Sequence, residues 1–161
     1  MTIKVGDRLP EVTFRVMTEK GPEPRSTGEI FGGKKVVLFG VPGAFTPTCH
    51  QNHLPGYLAN ADALKAKGVQ EIAVTAVNDP FVMKAWADST GGMGKITYLS
   101  DGSAEFAQAA GLALDLTARG LGMRNQRFSM LVDDGVVKVL NVEAAPGQVE
   151  TTGGDSMLNQ I

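Results

Sequence analysis

The residue with the most chemical potential in this sequence is its single cysteine, Cys49, delivered by the loop Pro42-Gly43-Ala44-Phe45-Thr46-Pro47-Thr48. The apolar run Val36-Val37-Leu38-Phe39-Gly40-Val41 leads into that loop, and a helical pattern follows it. A thiol in the first turn of a helix lies among backbone N–H groups that have no internal acceptor. Those groups and the helix dipole favour a thiolate, the form of cysteine that reacts. Thr46 stands three residues before Cys49, where a redox Cys-x-x-Cys pair would carry its other sulfur. A hydroxyl there can hydrogen-bond to a thiolate but cannot close a disulfide. The site therefore works with one thiol and needs an outside reductant.

Other uses of the cysteine fit less well. A lone cysteine is commonly a small buried hydrophobe, but Pro, Gly and Thr before a helix are loop and cap residues rather than core. A cysteine protease needs a separate histidine as base and a third group to orient it. The only histidines are His50 and His53, both within one turn of Cys49, which leaves no groove between nucleophile and base. One cysteine with two histidines three residues apart makes no structural metal site. His53 is expected to be a packed or hydrogen-bonded helix residue, or otherwise a helper near the thiol.

The surrounding elements follow from periodicity and turn chemistry. Val12 to Met17 reads as a strand ended by Gly21-Pro22-Glu23-Pro24, and Ser26 or Thr27 caps a short turn through Phe31. Val36 to Val41 is a buried central strand. Thr48 to Lys67 is a helix with Leu54, Leu58, Ala61 and Leu64 on one face, and Pro55 predicts a kink near His53-Leu54. Ile72 to Val77 is a second buried strand. Asp79 and Pro80 then open a helix as N-cap and first residue, with Val82, Trp86 and either Phe81 or Ala85 facing inward. Ile96 to Leu99 is a strand and Ser103 to Ala110 a short helix. Arg127 to Val132 and Val136 to Val142 flank Asp133-Asp134-Gly135, a hairpin signal, and Asp155 to Ile161 closes the chain as a helix. Alternating strands and helices predict parallel strands with crossover helices, and the hairpin adds antiparallel ones. The expected class is α/β: a thioredoxin-like fold, its mixed central sheet flanked by helices, over residues 1–161 as one domain.

Composition excludes several classes. A chain of 161 residues with 43% hydrophobic and 20% charged residues is an ordinary globular domain. A net charge of −2 without a basic block gives no reason to expect a nucleic-acid partner. No apolar run approaches the ~20 residues of a membrane helix, and the N-terminus lacks a signal peptide's apolar stretch. One cysteine forbids an internal disulfide, so the chain is expected to be cytoplasmic. Gly120-Leu121-Gly122 is too short for a dinucleotide loop, so no cofactor and no metal are expected.

The segment Pro42-x-x-x-Thr46-x-x-Cys49 resembles the active-site motif of the peroxiredoxins. The longer stretch Phe39 to Cys49, then His53-Leu54-Pro55-Gly56-Tyr57, is similar to the peroxiredoxin-five or type II branch. Val77-Asn78-Asp79-Pro80-Phe81, Arg127-Phe128-Ser129-Met130 and Asn141-Val142-Glu143 continue the likeness, which runs from about Lys4 to the C-terminus. It implies that Cys49 is the peroxidatic cysteine, attacking a peroxide oxygen to become a sulfenic acid. It implies that Thr46 bonds to the thiolate and the peroxide, that Pro42 shields the sulfur, and that Arg127 holds the thiolate and polarises the peroxide. The Cys49 backbone N–H would also face the substrate. A helix terminus contributes only about 0.3–2 kcal/mol, so a cation such as Arg127 must supply the rest. The sulfur is expected to stand ionised and open to solvent beside that guanidinium. Arg124 is either a support for the site or a surface charge.

Many members of this branch carry a second, resolving cysteine. Here the C-terminal loop reads Gln148-Val149-Glu150-Thr151-Thr152-Gly153, and the strand position used in plant relatives is Val74. The sulfenic acid would then be reduced by an external thiol, through glutathione and glutaredoxin or through thioredoxin. The resemblance also implies a homodimer in which the active-site loop packs on its twin, with Phe45, Phe81, Trp86, Leu121 and Met123 as candidate interface residues. Two rivals remain at this point: a thioredoxin-fold binding or chaperone module without turnover, and a glutathione-dependent transferase or disulfide oxidoreductase.

Overall fold

Val36, Val37, Leu38 and Phe39 form the middle of the sheet, and all four are fully buried. Successive strand residues point to opposite faces. Val36 and Leu38 join one core cluster, with Phe14, Phe31, Phe106 and Phe128. Val37 and Phe39 join the other, with Leu54, Tyr57, Leu64 and Trp86. A strand covered on both faces has to be apolar throughout rather than alternating, and each such side chain contributes roughly 1.5–3 kcal/mol by leaving water.

The computed structural model describes residues 2–161. Its strands are β1 (Thr13–Thr18), β2 (Gly21–Ser26), β3 (Lys35–Gly40), β4 (Glu71–Ala76), β5 (Thr97–Ser100), β6 (Ala113–Leu116), β7 (Gly122–Asn125), β8 (Phe128–Asp133) and β9 (Val136–Val142). The helices are α1 (Thr27–Phe31), α2 (Leu54–Ala66), α3 (Pro80–Thr90), α4 (Glu105–Ala109) and α5 (Gly154–Gln160). The main sheet has the order β2-β1-β5-β4-β3-β8-β9. β3 runs parallel to β4, and β4 to β5, while the outer pairings are antiparallel. The fold is thioredoxin-like, a mixed sheet flanked by helices.

Local signals held where they were strongest. Ser26 caps α1 in a reciprocal capping box with Glu29. Asp79 accepts from the Val82 amide at 2.9 Å, with Pro80 next in line. Asp134 and Gly135 both take positive φ, 49° and 79°, as the tight β8–β9 turn requires.

Two expectations change, and one element was not expected. Gly21 to Ser26 does not end the first strand but forms a second one, paired from Thr13↔Ser26 to Thr18↔Gly21. Pro22 and Pro24 are tolerated because β2 is an edge strand, where a missing N–H on the solvent side breaks no ladder bond. The small β6–β7 hairpin stands outside the main sheet and carries too little apolar alternation to be read from sequence. On α3 the buried residues are Met83, Trp86 and Ala87, whereas Phe81, 66% exposed, and Ala85 both face outward.

Candidate active site

The register of β3 against β8 builds this site. Gly40 pairs with Phe128, so Arg127 lies one residue past the pairing, where the Cys49 loop leaves β3. Gly40 has to be glycine, since a Cβ there would enter the Phe128 ring. Within the loop Phe45 adopts φ 65°, the left-handed region that costs a non-glycine residue of order 1–3 kcal/mol. Helical backbone then starts at Pro47, which places Cys49 in the first turn.

The expected kink is a π-turn, Cys49–His53, in which the Leu54 amide donates five residues back to the Cys49 carbonyl. Pro55 explains it. Proline offers no amide to the carbonyl four residues earlier and its ring crowds that oxygen, so the ladder widens by one residue.

Between Cys49 and His53 stands Arg127. Its Nη2 donates to the Cys49 Sγ at 3.0 Å, and its Nη1 donates to His53 Nδ1 at 2.8 Å. Nε and Nη2 also donate to the Pro146 carbonyl at 3.0 and 2.9 Å. A guanidinium carries five N–H donors, so one on Nη1 has no partner among the described residues. Arg127 is 2% exposed, and among the described residues no carboxylate lies within ion-pair reach of it. Its side-chain partners there are the sulfur and the neutral His53 ring.

The His53 ring is fully buried, and its Nε2 lies 2.9 Å from the Thr152 carbonyl. A carbonyl only accepts, so the proton sits on Nε2 and Nδ1 is bare toward Arg127. Burial, then the Arg127 charge, lower the imidazole from 6.5 to about 3. The unfolded chain binds a proton in that window that folded His53 refuses. Stability is therefore full above about pH 6.5 and falls with pH below it, by up to roughly 1.4 kcal/mol per pH unit. Denaturant midpoints at pH 7 and pH 5 should show the loss, and His53→Asn should flatten it. An equal loss in the variant would assign the effect to other groups.

The wall behind His53 is the loop after β9. Tyr57 Oη donates to the same Thr152 carbonyl at 2.7 Å. Glu143 Oε2 accepts from the amides of Glu150, Thr151 and Thr152 at 2.8, 2.9 and 2.9 Å and from the Thr152 hydroxyl at 2.6 Å. Burial pushes that carboxyl up, but these hydrogen bonds outweigh it and hold it below the ordinary carboxylate value. Sequence reasoning gave Glu143 no role. The available signal was an acid at a strand end with Thr151-Thr152 close behind it.

Residues 4–158 of this site-bearing chain match the redoxin family. The chain is 47% identical to Peroxiredoxin-2E-2, chloroplastic, of Oryza sativa subsp. japonica, over 99% of this chain and 73% of that one. Peroxiredoxin-2B of Arabidopsis thaliana is 44% identical over 99% and 98% of the two chains. The crystal structure of reduced Prx3 in complex with H2O2 from Vibrio vulnificus superposes with a TM-score of 0.93 at 48% identity, covering 99% of each chain. The chain belongs to the redoxin family, as a peroxiredoxin.

Among peroxiredoxins it sits with the type II relatives, and its lone cysteine leaves no resolving partner. It is a thiol peroxidase acting through that one sulfur. Two expectations about the site need correcting. Cys49 has no exposed surface, although it was expected to stand open to solvent. The loop folds over it, and it shares a buried cluster with Val41, Ala44 and Leu54 while its sulfur meets Arg127. Water exclusion strengthens that charged contact. The Thr46 hydroxyl bonds not to the sulfur but to the Gly43 carbonyl, at 2.7 Å, closing its own turn.

Pro42 is buried, and its carbonyl accepts from Arg124 Nη1 at 3.2 Å, while Arg124 Nε holds the Leu121 carbonyl at 2.7 Å. Arg124 thus ties the β6–β7 hairpin to the active-site loop. Gly43 leaves room for it, since a Cβ there would come within 2.7 Å of Nη1. His50 points away from the thiol, accepting at Nδ1 from Trp86 Nε1 at 3.0 Å. A cavity of about 690 Å³ lies at the other end of the sheet, lined by Ile72, Met83, Met93, Lys95 and Tyr98 among others, and contains none of the site residues.

Proposed function

We propose that this peroxiredoxin reduces hydrogen peroxide and small alkyl hydroperoxides at Cys49, with Arg127 as counter-ion and oxygen-binding group and with glutathione or glutaredoxin as the reductant. The observation that carries the mechanism is a buried guanidinium that has no carboxylate partner and stands 3.0 Å from the sulfur. It stabilises an anionic sulfur and is already aimed at the oxygens that will share its charge.

The thiolate attacks the terminal peroxide oxygen. An S–O bond forms as the O–O bond breaks, and the electron pair leaves on the second oxygen. That oxygen takes a proton from water and departs as an alcohol, or as water from hydrogen peroxide. The sulfur is oxidised by two electrons to a sulfenic acid. The spare Nη1 donor of Arg127 and the first-turn amide of Cys49 face the developing charge. Thr46 has committed its proton to Gly43, so its lone pairs accept the peroxide O–H. Pro42 covers the sulfur on the loop side.

Recycling needs a thiol from outside. Glutathione condenses with the sulfenic acid, releasing water and leaving a mixed disulfide on Cys49. A second thiol, from glutathione or a glutaredoxin, then exchanges it away. A tripeptide thiol cannot touch a sulfur without exposed surface, so this step requires the loop to move. Mass spectrometry after one equivalent of peroxide tests the scheme. We expect one added oxygen without glutathione, and one glutathionyl group on Cys49 when glutathione is present. Sulfenic acid that persists in excess glutathione but is cleared by thioredoxin would replace the reductant.

We further place the protein in the cytoplasm, where a lone thiol stays reduced, and as a homodimer through its active-site end. Support for the dimer comes from Phe45, Phe81, Leu121 and Met123, which are 47%, 66%, 39% and 38% exposed. The segments around them are tied together, by Arg124 as above and by the Ala44 amide donating to Asn78 Oδ1 at 2.9 Å. Trp86, with no exposed surface, is core and not part of that face.

A further inference from the structure

We propose that Glu143 is a positioning residue for peroxide reduction: it cinches residues 144–152 into a strut whose carbonyls hold Arg127 and His53 against Cys49. The proposal rests on the peroxidase reading of Cys49 and adds a residue that touches neither sulfur nor substrate.

The difficulty Glu143 resolves is mechanical. Arginine has a long, flexible side chain, and it is usually fixed by a carboxylate that matches its fork. Arg127 has no such partner within reach among the described residues. Its orientation depends instead on the Pro146 carbonyl, met by both Nε and Nη2, and on His53 Nδ1. His53 is in turn turned by the Thr152 carbonyl. Both carbonyls belong to the segment that leaves β9, and an unanchored surface segment would not hold them to within a fraction of an ångström.

Glu143 supplies the anchor at both ends. Its backbone N–H donates to the Arg127 carbonyl at 2.9 Å, so the two residues are direct neighbours across the strand ends. Its Oε2 gathers three consecutive amides and one hydroxyl at the far end of the segment, within 2.6–2.9 Å. Four donors converging on one oxygen make an anion nest, and only an acceptor with full negative charge suits it. The residue that fixes the Arg127 backbone therefore also fixes the loop that fixes its guanidinium. A misplacement of about 1 Å in such a group costs on the order of a hundredfold in rate.

Glu143→Gln keeps the shape and can keep an oxygen in the nest, but it removes the negative charge on which the four donors converge. Sulfenic acid formation on Cys49 should slow ten- to a hundredfold in rapid-quench single turnovers. Alkylation of Cys49 by iodoacetamide at alkaline pH, which needs the thiolate but no aimed guanidinium, should change less than threefold. In the Arg127→Gln background the same substitution should slow peroxide oxidation less than twofold, because the group it positions is already gone. Equal slowing in both backgrounds, or a wild-type rate in Glu143→Gln alone, would overturn the proposal. Should Glu143→Gln not fold, Thr152→Val removes one of the four donors, and it should slow oxidation two- to fivefold; an unchanged rate there would count against the strut. Wild-type protein in the same runs separates the two readings, since a wild type that forms no sulfenic acid removes the peroxidase itself.

Discussion

Cys49→Ser protein is expected to consume no peroxide above the uncatalysed background with any thiol donor. A serine hydroxyl stays protonated at neutral pH and lacks the polarisable sulfur that attacks an O–O bond. No other residue can substitute, since this is the only cysteine in the chain. The same variant should also be less stable. Arg127 is 2% exposed, and serine would take away the sulfur that its Nη2 meets at 3.0 Å. A hydrogen bond to a charged group is worth about 1.5–3 kcal/mol, and each kcal/mol moves the midpoint of a domain this size about 2–4 °C. Paired measurements of turnover and Tm check both. Unchanged turnover would return the chain to a binding or chaperone module on this fold. Thiol–disulfide exchange without any peroxide would favour the transferase or oxidoreductase alternative. A Tm equal to the wild type would mean that the buried guanidinium does not depend on the sulfur.

Arg127→Gln is expected to slow the oxidation step ten- to about 150-fold. A hydrogen bond to a charged group is worth about 1.5–3 kcal/mol, and each factor of ten in rate needs about 1.4 kcal/mol. The helix terminus at Cys49 stays in place, so some reactivity should survive. Arg127→Lys should fall between the two, because a point charge restores the field but not the fork that reaches His53, Pro146 and the sulfur together. Circular dichroism must accompany the kinetics, because the substitution strips donors from buried acceptors. Near-wild-type oxidation by a folded Arg127→Gln protein would remove this residue from the mechanism.

Much of this molecule is local and therefore readable. Asp79 with Pro80, the Asp134-Gly135 turn and the apolar run of β3 each act over a few residues, and the structure places them as the sequence implies. The Pro/Gly loop before Cys49 and the Pro55 irregularity are of the same kind. β2 was misread because two prolines usually end a strand, and only its place at the sheet edge makes them harmless.

By itself, then, the chain determined one reactive thiol at a helix start, with no second sulfur to finish its chemistry, on an α/β framework. The tertiary structure alone decided what that thiol meets. Arg127 lies 78 residues away, and the pairing of Gly40 with Phe128 brings it to the loop. His53 became a neutral acceptor because the fold buried it, set Arg127 beside it and turned its N–H onto the Thr152 carbonyl. Glu143 became an anchor because a loop of backbone amides turned back onto it. The reason is one of range. Caps, turns and periodicity are set by neighbours along the chain, whereas the convergence of groups from different strands is set by sheet register and loop closure, which no short window contains.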